Sequence, residues 1–225
     1  YIDYALFEYK LGHVAKMHKI YQRGLKVFKQ RSLHLWTSYL KLCNEVLVSN
    51  KQLFQKYETA EKYIGLHYYS GGFWELYMEQ IKERCANEVR YFIVLRKVLE
   101  IPQHSFSKFY GLWLQYIDEA QDLSQLNKFA SNDDLLKKLK IDTSYRGRRG
   151  PYLLECKKLL KKFTKELYMV VQYQVLEIYS LFESKLTTHY YSCPENLIPA
   201  GEIETWDKYL DYTIMQRIDG WTHLN

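Results

Sequence analysis

Apolar residues recur at intervals of three and four along most of this chain, the period of a helix face set against a core, and no sheet is expected from it. Within that pattern, aromatic pairs spaced i,i+3 repeat as Tyr1/Tyr4, Trp36/Tyr39, Trp74/Tyr77, Trp113/Tyr116 and Trp206/Tyr209. The first three intervals between leading aromatics are 35, 38 and 39 residues. A period of that length is expected of helix pairs that bury a shared core by stacking on their neighbours. The fold class predicted is therefore all-α, a superhelical solenoid of helix-pair repeats bent into a right-handed arc. The ten paired aromatics are assigned to repeat packing, with Trp36, Trp74, Trp113 and Trp206 largely buried.

The second helix of each pair has its own pattern. Ile20 to Leu25, Thr59 to Ile64 and Val94 to Leu99 can be laid over one another, which places Arg23, Lys62 and Lys97 at one position. A local structural pairing is expected of that cation, with an acid such as Glu8 on the first helix. Helix ends are marked by Gly12, by Ser32 as a cap for the helix carrying Trp36, by Ser70-Gly71-Gly72, and by Pro102, after which Ser105 or Ser107 can open the next helix. Regular repeats are thus assigned to residues 1–117.

The period fails over residues 118–150. Ser131 offers a cap with Asp134 three residues on, leading into a short amphipathic piece from Leu135 to Ile141 and an irregular stretch from Asp142 to Gly150. A long helix is predicted over 151–191, opened by Pro151 and carrying a stripe from Leu153 through Leu160, Phe163, Leu167, Val171, Val175, Ile178, Phe182 and Leu186. Forty residues would make a rod of roughly 60 Å. Residues 192–225 read as a loop marked by Pro194 and Pro199, then the start of a further repeat near Ile203, so both ends of the chain look cut.

Charge changes the picture at one place. The net charge is +6, yet Leu135 to Glu166 alone holds eleven Lys or Arg residues against three acids, and the remainder is close to neutral. Arg146, Arg148 and Arg149 lie in the irregular stretch, followed by Lys157, Lys158, Lys161, Lys162 and Lys165 on the long helix. Three readings stay open for this cluster: solvated surface, contact with a nucleic-acid backbone, or docking of an acidic protein segment. Gly147-Arg148-Arg149-Gly150 has the form of a Gly-x-x-Gly nucleic-acid clamp without the sheet that such modules need.

Other chemistry is sparse. Cys43, Cys85, Cys156 and Cys193 are widely separated and read as reduced, mostly buried thiols. His13 and His18 are five apart with no acid completing a metal set, so core packing is the better reading. Asp133/Asp134 and Glu202/Glu204 suit helix starts. No catalytic residue, cofactor or metal is nominated, and no apolar run reaches the ~20 residues that span a bilayer.

The aromatic pairs with their following basic position resemble half-a-tetratricopeptide (HAT) repeats. Lys56 to His67, Phe73-Trp74-Glu75-Leu76-Tyr77, Leu99 to Phe109, Gly150-Pro151-Tyr152 and Glu204-Thr205-Trp206 are similar to the HAT-repeat splicing scaffolds of the yeast-type U1 small nuclear ribonucleoprotein, the family of pre-mRNA-processing factors thirty-nine and forty-two, with the forty-two branch the nearer likeness. The resemblance implies a nuclear, non-catalytic subunit acting in splicing and 5′ splice-site recognition, with residues 1–225 forming part of an N-terminal HAT arm. It further implies neighbours among the U1 proteins, including a U1C-type zinc-finger protein, a paralogous HAT subunit met through an absent C-terminal arm, contact with the U1 snRNA backbone as an option, and no membrane. Tyr1 departs from the Trp that the repeat pattern prefers. A HAT scaffold of the mRNA 3′-end cleavage machinery and a direct RNA-binding helical module remain as rivals.

Overall fold

A computed structural model describes residues 1–191 and 197–219, with the side chains of Arg149, Arg217, Ile218 and Asp219 left out. The described residues hold helices and turns and no strand. Ten α-helices follow in order: α1 (Ile2–Lys10), α2 (Val14–Val27), α3 (Leu33–Val46), α4 (Asn50–Ile64), α5 (Gly71–Arg84), α6 (Val89–Leu99), α7 (Phe106–Glu119), α8 (Asn132–Leu139), α9 (Arg149–Leu181) and α10 (Ala200–Asp219). Two short 3-10 turns, Leu123–Lys128 and Glu183–Lys185, join α7 to α8 and follow α9. The helices group into two compact units. One comprises Tyr1–Val48, Glu58–Ile64 and the residues from Leu176 onward, the other Ser49–Tyr57 and Gly65–Val175.

In the first unit α1 packs on α2 and α2 on α3. Gly12, at φ +80°, turns the chain between α1 and α2 in a conformation that costs glycine little. Ser32 caps α3 by accepting a hydrogen bond from the Leu35 amide at 3.2 Å. The repeat aromatics have separate tasks. Tyr39 stacks on Tyr21 of α2, with centroids 4.9 Å apart, and its hydroxyl meets His18 Nδ1 at 3.0 Å. Trp36 turns its indole N–H onto the Gln30 carbonyl, 2.8 Å away, where α2 has just ended. That carbonyl belongs to a turn whose Lys29 and Gln30 take positive φ without being glycine.

The second unit repeats this arrangement. Tyr77 of α5 stacks on Tyr57 of α4 at 4.7 Å, and Trp74 donates to the Gly65 carbonyl, just past α4, at 3.0 Å. Tyr116 of α7 meets Tyr91 of α6 edge-on, with the hydroxyls 3.1 Å apart and the Lys82 ammonium over both rings. Trp113 departs from the pattern by donating to the Thr164 hydroxyl of α9 at 3.4 Å. The chain thus forms an array of paired helices, and in the pairs led by Trp36 and Trp74 the tryptophan satisfies the carbonyl end of the helix before it while the tyrosine stacks on that helix.

Several expectations need correction. The long helix spans Arg149–Leu181, about 50 Å, and does not run from 151 to 191. Phe182 leaves helical geometry at φ −127°, ψ −66°, its ring stacked 4.6 Å under Tyr209. The adjoining Glu183 carboxylate, buried, receives the Tyr209 hydroxyl at 2.9 Å and meets His189 at the same distance, so side-chain contacts hold the chain in its turn. At the other end α9 starts before Pro151, which occupies the first turn where a missing N–H leaves nothing unsatisfied. Trp36, Trp74 and Trp113 are buried, but Trp206 is half-buried, and its indole nitrogen is covered without a hydrogen-bond partner among the described residues.

Tyr1 and Tyr4 are about half exposed. The ring of Tyr1 rests on Gly24 of α2 and on Phe28 just past its end, and that of Tyr4 lies beneath the Lys16 ammonium. Arg23 is exposed and does not pair with Glu8. Glu8 is buried instead with Lys16 and His13, at 2.6 and 2.7 Å, because α2 turns its first residues toward α1. His13 is accordingly a surface residue and not a core one, whereas His18 is half-buried. Cys43 and Cys156 are buried free thiols and Cys85 is half-buried, while Cys193 and Pro194 lie outside the described residues.

Candidate interaction surface

The basic segment is built from the end of α8 onward. Ser131 caps α8 by accepting from the Asp134 amide at 3.1 Å, and Lys140, at φ +56°, ends it. Ile141 is then buried against α8, and Asp142 holds a turn by accepting from the Ser144 amide at 2.8 Å and its hydroxyl at 2.6 Å. Those bonds hold the Asp142 carboxyl below its ordinary range. The Tyr145 and Tyr152 rings lie 4.3 Å apart, and Tyr145 covers Gly147 so closely that a Cβ there would fall 2.3 Å from its hydroxyl. Glycine at 147 is therefore explained by the tyrosine above it, without a nucleic-acid clamp. Arg146 and Arg148 project from this turn, exposed; Arg149 is the first residue of α9, and its side chain lies outside the described residues.

Along α9 the five lysines divide by face. Cys156, Leu160, Thr164 and Tyr168 point inward, buried, at i, i+4, i+8 and i+12. Burial pushes the Cys156 thiol up and the Tyr168 phenol up to about 12, so neither supplies an ionised nucleophile at neutral pH. Beside this face Lys157 donates to the Asp118 carbonyl at 2.6 Å, and Lys161 pairs with the Asp118 carboxylate at 2.5 Å. Asp118 sits in the last turn of α7, where cations are favoured by the unpaired carbonyls. Lys157 and Lys161 are thus struts between α9 and α7.

Lys158, Lys162 and Lys165 occupy the opposite face, exposed, and among the described residues none is paired with a carboxylate. The eight cations proposed from the sequence are therefore not one cluster. Two are tied to α7, three line the outer face of α9, Arg146 and Arg148 flank its start, and the side chain of the eighth, Arg149, lies outside the described residues. Four-residue spacing is common to Lys157/Lys161 and Lys158/Lys162 and does not separate them; the acid that Lys157 and Lys161 meet is 39 and 43 residues earlier, and such a pairing follows only from the way α7 and α9 pack.

Elsewhere, a groove of about 740 Å³ runs beside α6, lined by Val89, Phe92, Ile93, Arg96, Lys128 and Phe129. Its lysine already pairs with Glu88 and covers the Phe92 ring, and no acid-base or nucleophilic pair converges on it. Among the described residues no group of three His, Cys, Asp or Glu side chains could hold a metal ion, and no helix is long and apolar enough to cross a membrane.

Residues 1–115, covering α1 to most of α7, match the family described as PRP39 N-terminal HAT repeat. The chain belongs to this HAT-repeat family. As a HAT chain it is 66% identical, over all 225 of its residues, to the U1 small nuclear ribonucleoprotein component PRP42 of Saccharomyces cerevisiae, of which it covers 41%. It is 22% identical to Pre-mRNA-processing factor 39 of Schizosaccharomyces pombe, over 93% of this chain and 35% of that protein. The chain therefore spans well under half the length of these relatives. The PRP42-type likeness continues through α8, α9 and α10, beyond the part matched by the family.

Proposed function

We propose that this chain is part of a non-catalytic scaffold subunit of the U1 small nuclear ribonucleoprotein, acting in the nucleus in pre-mRNA splicing and 5′ splice-site recognition through protein-protein contacts. The observation that carries the reading is identity at two positions in three, along the whole chain, with a protein named as a U1 component. The helix-pair array suits that role, since stacked repeats bury their own core and leave long outer faces for partners. Its neighbours would be other U1 proteins, among them a U1C-type zinc-finger protein, with a paralogous HAT subunit engaged through the C-terminal part of the longer protein. Arg146, Arg148, Lys158, Lys162 and Lys165 would add an electrostatic attachment, to an acidic protein segment or to the U1 snRNA backbone.

The test is to tag the full-length protein in its own cells, purify it under native conditions and sequence the RNA that comes with it. U1 snRNA in near-stoichiometric yield is the expected result. Recovery of 3′-end cleavage factors without U1 snRNA would move the protein to the other class of HAT scaffold. Direct RNA binding by the isolated chain, falling steeply with salt, would instead favour an RNA-binding module.

A further inference from the structure

The outer face of α9 carries more than charge. Following the row Lys158, Lys162, Lys165 by further steps of four leads to Met169 and Tyr173, which are 58% and 66% exposed. All five side chains lie within about a quarter turn of one another on the helix, opposite Cys156, Leu160 and Thr164. Val170, 61% exposed, borders the apolar end. The face is therefore divided lengthwise, with three lysines, unpaired among the described residues, over its first two turns and two large apolar side chains over the next two. Glu155 precedes the lysines and Glu166 follows them at the junction with the apolar end, while Arg146 and Arg148 add positive charge ahead of Glu155. Lys158 to Tyr173 spans about 22 Å, the length of a helix of about fifteen residues.

We infer that this face is a docking site for an amphipathic α-helix of a partner protein, acidic where it lies over Lys158, Lys162 and Lys165 and apolar where it lies over Met169 and Tyr173. The inference rests on the scaffold reading for the particle in which the partner is sought. Charge complementarity selects the acidic end, because three ammonium groups within about 11 Å, none paired with a carboxylate among the described residues, raise the local potential that steers an anion. The apolar end selects protein over RNA: phosphates would answer the lysines, but Met169 and Val170 give bases no aromatic platform, and one exposed tyrosine does not make a stacking row. A helix is selected over an extended peptide because α9 has spent its backbone groups internally and offers no edge for strand addition. What it offers is a ridge at helical spacing, into which another helix packs.

The experiment places a photo-reactive benzoylphenylalanine at position 162 or 173 of the full-length protein, cross-links the native particle, and identifies the products by mass spectrometry and RNA sequencing. Both positions should mark one protein segment. In it, acidic residues should meet position 162 and apolar residues at three- and four-residue spacing should meet position 173. The combined change Lys158→Glu, Lys162→Glu and Lys165→Glu should lower the cross-link at 173 at least tenfold, while the helix content of the protein stays unchanged. RNA cross-linked at 162, two unrelated segments, a segment without acids, or no product at 173 would each overturn the inference. Whether the particle contains U1 snRNA is read separately. A U1 particle without the segment removes the docking face alone, and the segment found in a particle lacking U1 removes the scaffold reading alone.

Discussion

Replacing Trp74 with alanine tests the repeat architecture at its most enclosed point. Trp74 has no exposed surface, packs on Phe73 and Tyr77, and donates its indole N–H to the Gly65 carbonyl at 3.0 Å. A buried indole withdraws about 150–250 Å² from water, and at about 25 cal/mol per Å² that is ~4–6 kcal/mol, part of which alanine keeps. Loss of the hydrogen bond adds little, because the Gly65 carbonyl also accepts from the Ser70 hydroxyl at 3.0 Å and is not orphaned. With partial collapse of the socket the expected loss is about 3–5 kcal/mol. Trp206→Ala serves as the internal comparison: half-buried, with its nitrogen unpartnered among the described residues, it should cost about 2 kcal/mol. Urea unfolding of both variants, followed by far-ultraviolet circular dichroism, gives the two numbers. A Trp74→Ala loss below about 1 kcal/mol, or one no larger than that of Trp206→Ala, would show that the helix pairs hold together without the tryptophan.

Two adjacent glycines should respond with opposite sign. A Cβ at Gly71 would lie 2.4 Å from the Ser105 hydroxyl and 2.7 Å from its Cβ, whereas one at Gly72 meets nothing within 4 Å. In urea unfolding Gly71→Ala should therefore lower the stability by about 1–3 kcal/mol, and Gly72→Ala should raise it by up to about 1 kcal/mol through its better helix propensity. The Glu8 carboxyl is held below its ordinary value of 4.5 by hydrogen bonds from Lys16, then His13, so its contribution is present above that pH and is lost as pH falls through the lower, folded value. The melting-temperature gap between wild type and Glu8→Gln should accordingly be constant near neutrality and close below about pH 4.5; a gap that persists in acid would refute the pairing. Ser131→Ala removes the cap of α8 and should cost about 1 kcal/mol, seen as faster amide exchange confined to α8.

The helix pairs were legible because each repeats a local pattern: two aromatic residues three apart on a first helix, with Gly12, Ser32 and Pro102 punctuating the chain. The stacking partner of each tyrosine was not, since Tyr21 and Tyr57 stand 18 and 20 residues before Tyr39 and Tyr77 and only the hairpin brings them together. The end of α9 was misplaced for a related reason. Phe182 and Leu186 continue the apolar spacing past Leu181, and the chain leaves the helix because Tyr209 and His189, from later in the chain, converge on Phe182 and Glu183. Composition likewise showed eight cations together, but it did not show that Asp118 takes two of them.

The abundance of tyrosine has a cause in this geometry. A stacked helix pair needs broad rings between its members, yet each ring must also answer for polar groups on the neighbouring helix, and a phenol does both where phenylalanine would leave them bare. Thus the Tyr21 hydroxyl shares a 2.7 Å hydrogen bond with Ser38, Tyr68 donates to the Val175 carbonyl at 3.1 Å, and Tyr77 accepts from Arg90 at 3.1 Å. These tyrosines are buried inside their own units, which removes their rings as base-stacking platforms for RNA. Tyr173 belongs to a different population: it stands on the outer face of α9, two-thirds exposed, in line with Met169 and three lysines. Repeat packing does not require an aromatic ring there, so its reason has to come from outside the repeat, and the acidic amphipathic helix supplies one.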